Sequence, residues 1–176
     1  GFVDQDGSNS VKIGSVTLPI ISEEELLNEN EDLSLVIGFG DPKLLSKIVK
    51  RFETKFKFPN IIHPSFIGNL DDIRFGIGNV ITANCVFTTN IKIGSFNFFN
   101  LTSTVGHDAT FGSYNVINPG CNISGGVNVG DKNLLGTNST ILQYISIDNN
   151  SIIGAASLVT KNVESNKVMV GSPAKV

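Results

Sequence analysis

The chain is poor in the residues that usually announce a function. Only 16% of its 176 residues are charged and the net charge is −3. It therefore lacks the clustered Lys and Arg that a nucleic-acid partner requires. No apolar run reaches the ~18 residues needed to span a membrane. No secretion signal is visible, which makes the cytoplasm the expected compartment. There are two cysteines, Cys85 and Cys121, with no CxxC spacing for zinc, and two histidines, His63 and His107.

What the chain has instead is a strict rhythm. Ile81, Phe87, Ile93, Phe99, Val105, Phe111, Ile117, Ile123, Val129, Leu135, Ile141, Ile147, Ile153 and Val159 follow one another at steps of six. Neither a helix nor an alternating strand enforces that period. Six is the step of a hexapeptide parallel β-helix, in which three short strands make one coil of a triangular prism. Residues eighteen apart then become neighbours on successive coils, separated by the strand spacing of ~4.8 Å. Cys85 and Cys121 are two coils apart, roughly 10 Å, beyond the reach of a disulfide. They read as free, inward-facing thiols. Abundant Gly and Asn suit the repeated tight corners.

The ends of the chain read differently. In residues 1–60, Phe2-Val3 ends an apolar strand. Ser22 and Glu25 form the capping box of a short helix holding Leu26 and Leu27. Leu33 to Gly38 reads as a buried strand. Asp41-Pro42 opens a second helix, with Leu44, Leu45, Ile48, Val49 and Phe52 on one face. This is a small α/β unit with a parallel sheet. Such units open with a further strand and a Gly-rich turn, so the unit is expected to be incomplete here. The prism spans 61–160. Ile61, Ile67 and Ile73 keep the step, and Ile81 arrives two residues late, which places an insertion around Gly76 to Val80. Residues 161–176 cap the open end, whose strand edges would otherwise be exposed.

Few residues remain to carry chemistry. His63, in Ile-Ile-His-Pro-Ser, reads as a hydrogen-bonded residue at the junction. His107 lies inside the regular prism at an outward position, followed directly by Asp108. Gly125 stands eighteen residues on, one coil above His107, and leaves its backbone N–H open to a ligand. A His base beside a free N–H is half of an acyl-transfer site; a solvated surface histidine is the plainer alternative. Pro119, Thr137 and Ala155 share another outward column, small enough for a thin extended ligand or simply for corners. Gly38-Phe39-Gly40 precedes the Asp41 helix and gives a weak anion-site signal.

The prism, Val105-Gly106-His107-Asp108 and the ending Val170-Gly171-Ser172-Pro173-Ala174-Lys175 resemble left-handed β-helix acetyltransferases. Gly1-Phe2-Val3-Asp4, Phe39-Gly40-Asp41-Pro42-Lys43 and Ile62-His63-Pro64-Ser65 narrow the resemblance to bacterial sugar acetyltransferases. These include the sialic-acid O-acetyltransferase and the N-acetyltransferases of nucleotide-linked 4-amino-sugars. The resemblance implies left-handed coils, a homotrimer with sites between subunits, and acetyl-coenzyme A as donor, without a metal. It implies His107 as base, Asp108 as the acid that orients it, and Gly125 as the N–H that meets the thioester carbonyl. Thr137 and Ala155 would line the donor, with Lys175 at the same site. Val116 stands where some members have a second, donor-contacting histidine. Asp4, Gln5 and Gly40 would contact the nucleotide-linked sugar. The expected function is acetyl transfer to a sugar of bacterial surface glycans, with O-acetylation of sialic acid or another sugar as the alternative. A prism-fold carbonic anhydrase would need three zinc histidines. A purely structural β-helix would want a flat Thr-rich face with no lone His-Asp pair.

Overall fold

The computed structural model describes residues 1–5, 10–29 and 32–176. It shows two units, a small α/β unit and a prism of short parallel strands.

In the front unit, strand β1 (Phe2–Asp4) lies parallel to β3 (Val16–Ser22), and β2 (Ser10–Ile13) pairs antiparallel on its other side. Helix α1 (Glu23–Asn28) starts at the expected capping box. The Ser22 hydroxyl accepts from the Glu25 N–H at 3.1 Å, and the Glu25 carboxylate accepts from the Ser22 N–H at 2.7 Å. Helix α2 (Pro42–Phe52) is capped by Asp41, which accepts from the N–H groups of Lys43 and Leu44. Its buried stripe is Leu45, Val49 and Phe52. Leu44, expected on that face, lies outside it and is exposed.

Two expectations for this unit change. The sheet is mixed and not parallel throughout, because β2 and β3 form an antiparallel hairpin, and Leu33 to Gly38 is not its second strand. Among the described residues that segment makes a single bridge, Ser34 to Lys57. Its alternate residues Leu35 and Ile37 pack on the helices while Leu33 and Val36 face outward. An apolar run therefore bought burial for half its residues without a sheet to join.

The prism has three sides. Strands 80–81, 98–99, 116–117, 134–135 and 152–153 stack on the first, 86–87, 104–105, 122–123, 140–141 and 158–159 on the second, and 73–75, 91–93, 110–111, 128–129 and 146–147 on the third. Neighbouring strands pair parallel at a register of eighteen, as in Thr104 with Asn122 and Val105 with Ile123. All fourteen periodic residues are buried. The register is earned at the corners. Three residues after each inward aliphatic the backbone turns at φ between 54° and 69°, from Asn84 to Ala156. Glycine, Asn and Asp tolerate that conformation best.

The register breaks earlier than the sequence suggested. Ile62 pairs with Ile81 and Ile67 bridges Val86, both nineteen residues away, whereas Phe75 pairs with Ile93 at eighteen. The extra residue therefore lies between Ile67 and Ile73, where 70–72 form a 3-10 turn. Ile61 and Ile67 face outward, and Ile62 and Phe75 pack on the core. The run of isoleucines mimics the period one residue out of phase.

A second inward position, two residues before each aliphatic, lines the corners. Between the third and first sides it holds a ladder of fully buried asparagines, Asn79, Asn97, Asn115 and Asn133, ending at Ser151. Each Oδ1 of the first three accepts from the backbone N–H of the next asparagine at 2.8–3.0 Å. The Nδ2 of Asn79, Asn97 and Asn115 donates to Gly94, Gly112 and Gly130 carbonyls. Cys85 and Cys121 occupy the corresponding inward position between the first and second sides. They are free, and burial raises both thiols above their ordinary pKa. The two units meet where Phe96 and Tyr114 stack at 5.5 Å and 6°, with Phe58 edge-on to Phe96.

The outward residues of the first side form an unbroken apolar stripe, Ile61, Val80, Phe98, Val116, Leu134, Ile152 and Val168. Of these, Ile61, Ile152 and Val168 are exposed by 42–53%. The third side carries Arg74, Lys92, Thr110, Asn128 and Ser146 at the same position.

Replacing Asn115 by Ala strands the buried Asn133 N–H and takes the Asn115 Nδ2 donor away from the Gly130 carbonyl. Unpaired buried groups cost about 1–3 kcal/mol each, so Asn115→Ala is expected to melt several degrees below the parent in a calorimetric scan. An unchanged melting temperature would show that the ladder does not hold the corner.

Candidate acyl-transfer site

His107 lies on the corner between the second and third sides, one residue beyond the strand Thr104–Val105. Asp108 takes the left-handed turn position, φ 59°, and its N–H donates to the Thr89 carbonyl one coil below. That turn swings the Asp108 carboxylate back to its neighbour, and His107 Nδ1 meets Asp108 Oδ2 at 2.7 Å. A carboxylate only accepts, so Nδ1 carries the proton, and in the neutral ring Nε2 has the lone pair. Both side chains are about half exposed, so the pair is open to a ligand.

Gly125 sits one coil above His107, where the sequence placed it. Its role is first of all steric. A Cβ on Gly125 would lie 2.5 Å from His107 Nε2 and 2.7 Å from Cε1. The imidazole therefore lies across the Gly125 backbone, with the Nε2 end over it. Among the described residues the Gly125 N–H makes no backbone hydrogen bond, while its carbonyl accepts from Tyr144 N–H and the His107 carbonyl accepts from Gly126 N–H. Gly106 is held to glycine by the same close approach, because a Cβ there would run into the Gly125 and Ser124 backbone.

One member of this constellation was not read from the sequence. Asn90, one coil below Asp108, donates from Nδ2 to Asp108 Oδ1 at 2.5 Å. His107 and then Asn90 hold the Asp108 carboxyl below the ordinary carboxylate range. The eighteen-residue offset between Asn90 and Asp108 was the available signal, masked by the frequency of Asn at corners.

The other candidates lie elsewhere. Thr137 and Ala155 are exposed on the corner between the first and second sides, one coil apart, so one subunit does not bring them to His107. Val116 is 1% exposed, between Phe98 and Leu134, and offers no surface to a donor. Lys175 lies exposed in the terminal hairpin, paired with Val170. Asp4 ends β1 and accepts from the Gln5 N–H at 2.7 Å, both exposed in the front unit. Gly40 faces open space, but the helix end beside it is occupied by Asp41's own carboxylate. His63 is a hydrogen-bonded junction residue, its Nδ1 accepting from the Ser65 N–H at 3.1 Å. Among the described residues no three His, Cys, Asp or Glu side chains gather as metal ligands. No described helix is long and apolar enough to cross a membrane. A shallow hollow lined by Val86, Thr88, Thr104, Gly106, Asn122 and Ser124 runs over the second side up to the His107 corner.

No protein-family model and no curated protein sequence matches the chain. Solved structures do. PerB from Caulobacter crescentus, in complex with CoA and GDP-perosamine, is 27% identical, covering 90% of this chain and 78% of its own, with a TM-score of 0.84. The acetyltransferase domain of PglB from Neisseria gonorrhoeae is 24% identical over 99% and 84%, with a TM-score of 0.90. WeeI from Acinetobacter baumannii is 23% identical over 99% and 84%, with a TM-score of 0.89. The structures this chain is similar to thus include a perosamine N-acetyltransferase and an acetyltransferase domain. The perosamine enzyme has also been solved with a histidine replaced by Asn or by Ala.

Asn90→Ala removes one of the two hydrogen bonds that depress the Asp108 carboxyl. Its pKa is expected to rise toward the ordinary value, read by carbon-13 titration of the side-chain carboxylate. Because Asp108 accepts the Nδ1 hydrogen bond as a carboxylate, the pair is expected to come apart at a higher pH in the variant than in the parent as acid is added. A carboxyl that titrates as in the parent would remove Asn90 from the arrangement.

Proposed function

We propose that the chain is an acetyl-coenzyme A-dependent acetyltransferase acting on a nucleotide-linked amino sugar of bacterial surface glycans. The observation that carries this reading is the His107 ring, fixed by Asp108 and laid across Gly125. The acceptor amine attacks the thioester carbonyl while His107 Nε2 takes its proton. The new C–N bond forms, the C–S bond breaks, and the thiol leaves with a proton. The oxygen of the tetrahedral intermediate is stabilised by the Gly125 N–H. No covalent acyl-enzyme is required. A general base is worth ~10²–10⁴ in rate and one oxyanion donor ~10²–10³.

The donor needs a second wall, because a prism side is flat. We assign that wall to a neighbouring copy in a homotrimer of left-handed prisms. The apolar stripe on the first side supports such an assembly, since exposed apolar residues at its ends, Ile61, Ile152 and Val168, suit an interaction face. Thr137 and Ala155 border that side, and His107 borders the far edge of the second. His107 of one subunit then faces Thr137 and Ala155 of the next, a head-to-tail contact that closes as a ring. Lys175 would reach the donor's far end. Asp4, Gln5 and Gly40 of the front unit would hold the nucleotide-linked sugar. The unpaired, buried Cys85 and Cys121 fit a reducing, cytoplasmic setting.

Free-thiol release with acetyl-coenzyme A and a nucleotide-linked amino sugar tests both parts. His107→Ala is expected to lose at least ~10² in turnover, and Asp108→Asn less, because Asp108 moves no proton to or from the substrate. Ala155→Trp, filling the donor wall, is expected to be inactive as well. Mixed trimers of His107→Ala and Ala155→Trp chains should regain activity, because some interfaces pair an intact His107 with an intact Ala155. Parent turnover in His107→Ala would overturn the base. No recovery at any mixing ratio would overturn the shared site.

A further inference from the structure

Gly125 is followed by a second glycine, and the two carry two rings. The imidazole of His107 rises from the coil below onto Gly125. The phenol of Tyr144 comes down from the coil above onto Gly126, where a Cβ would collide with its Cδ1 and Cε1. Adjacent Cα atoms are about 3.8 Å apart, so the rings lie over neighbouring residues of one turn. Nothing larger than glycine fits under either.

Tyr144 is anomalous among the aromatic residues of the prism. Phe96, Tyr114 and Tyr144 all occupy the left-handed turn position, with φ of 58°, 62° and 60°. Phe96 and Tyr114 justify it by stacking on each other and on Phe58, which joins the two units. Tyr144 has no aromatic partner among the described residues and is 69% exposed. Other turns at this position carry Asn84, Asn90, Asn138 and Asn150, which hold the same backbone more easily. A large amphipathic ring has been placed in the open beside the base.

We infer that Tyr144 is the platform on which the acceptor's sugar ring rests while its amine meets His107 Nε2. The inference rests on the acetyl-transfer reading above. The hollow on the second side, bounded by Thr88, Thr104, Asn122 and Ser124, approaches His107 from one flank and suits the donor. Tyr144 stands on the other flank, where the turn leads into the third side. The atom that surrenders its proton must come within hydrogen-bond reach of Nε2, so an acceptor arriving on that flank lies against the phenol. A pyranose suits such a surface. One face presents C–H groups that pack on an aromatic ring, while its hydroxyls stay in water, and a Tyr offers that apolar area at low entropic cost.

The test is steady-state kinetics of Tyr144→Ala and Tyr144→Phe with acetyl-coenzyme A and nucleotide-linked amino sugars, with calorimetry of acetyl-coenzyme A binding and the molar mass in solution. Tyr144→Ala is expected to raise the acceptor KM roughly tenfold, the scale of one lost ring contact. The acetyl-coenzyme A KM, its calorimetric affinity and the molar mass stay at parent values, and Tyr144→Phe behaves as the parent. An unchanged acceptor KM overturns the inference, as does a loss confined to acetyl-coenzyme A affinity. A drop in molar mass also overturns it, because a second copy would then cover the ring. A parent chain that binds acetyl-coenzyme A but acetylates no nucleotide-linked amino sugar defeats the proposed function and this inference together. A working parent with an indifferent Tyr144→Ala defeats this inference alone.

Discussion

A left-handed backbone turn every sixth residue is the constraint on which the rest of this molecule depends. Each turn redirects the chain by one prism corner, so three of them return it to the same side one coil higher. Because the step never varies between Ile81 and Val159, columns eighteen residues apart stack in register for the whole length of the regular prism. A slip of one residue would turn the inward aliphatics outward. The register is held twice at one corner. Buried asparagines pass hydrogen bonds upward from coil to coil, and the N–H groups of Ile77, Ser95, Ser113 and Asp131 donate to side chains of the coil above. The front unit is anchored at that corner, through Phe96 and Tyr114.

The same register builds the site from residues that are remote in sequence. Asn90, Asp108, Gly126 and Tyr144 occupy one column, and Thr89, His107, Gly125 the column beside it. Asp108 stands at a turn position and is thereby aimed at the preceding residue, so that adjacent His107 and Asp108 side chains meet at 2.7 Å. Gly125 serves as floor for the ring and as a free N–H within its reach. One missing Cβ therefore serves two purposes, and the site needs no loop of its own.

Much of this was legible in the sequence. The inward residues were, because a period of six has few other causes. The pair His107-Asp108 and its partner Gly125 were, because the prism converts spacing into position. The asparagine ladder stood in the same map but was hidden, since Asn also suits corners for local reasons. The early break was misplaced because the outward Ile61 and Ile67 imitate the rhythm that leads to the buried Ile73, while Ile62 and Phe66 pack on the core in that stretch. Leu33 to Gly38 has the composition of a strand, yet pairing depends on a partner edge that composition does not encode. The ring of Tyr144 could not be placed, because its meaning lies in a contact with Gly126 across a coil.

The central claim is that Gly125 is glycine to let the His107 ring lie over its backbone, poised with Nδ1 on Asp108. Gly125→Ala tests it most directly, by acetyl-transfer rate and melting temperature in parallel. The Gly125 backbone is outside the left-handed region, and the three atoms nearest a methyl group there all belong to the His107 ring. The half-exposed imidazole can swing into solvent, leaving the core untouched. The account predicts a turnover at least ~10²-fold below the parent, the scale of a displaced general base, with an unchanged melting temperature. A Gly125→Ala enzyme that turns over at the parent rate would contradict it.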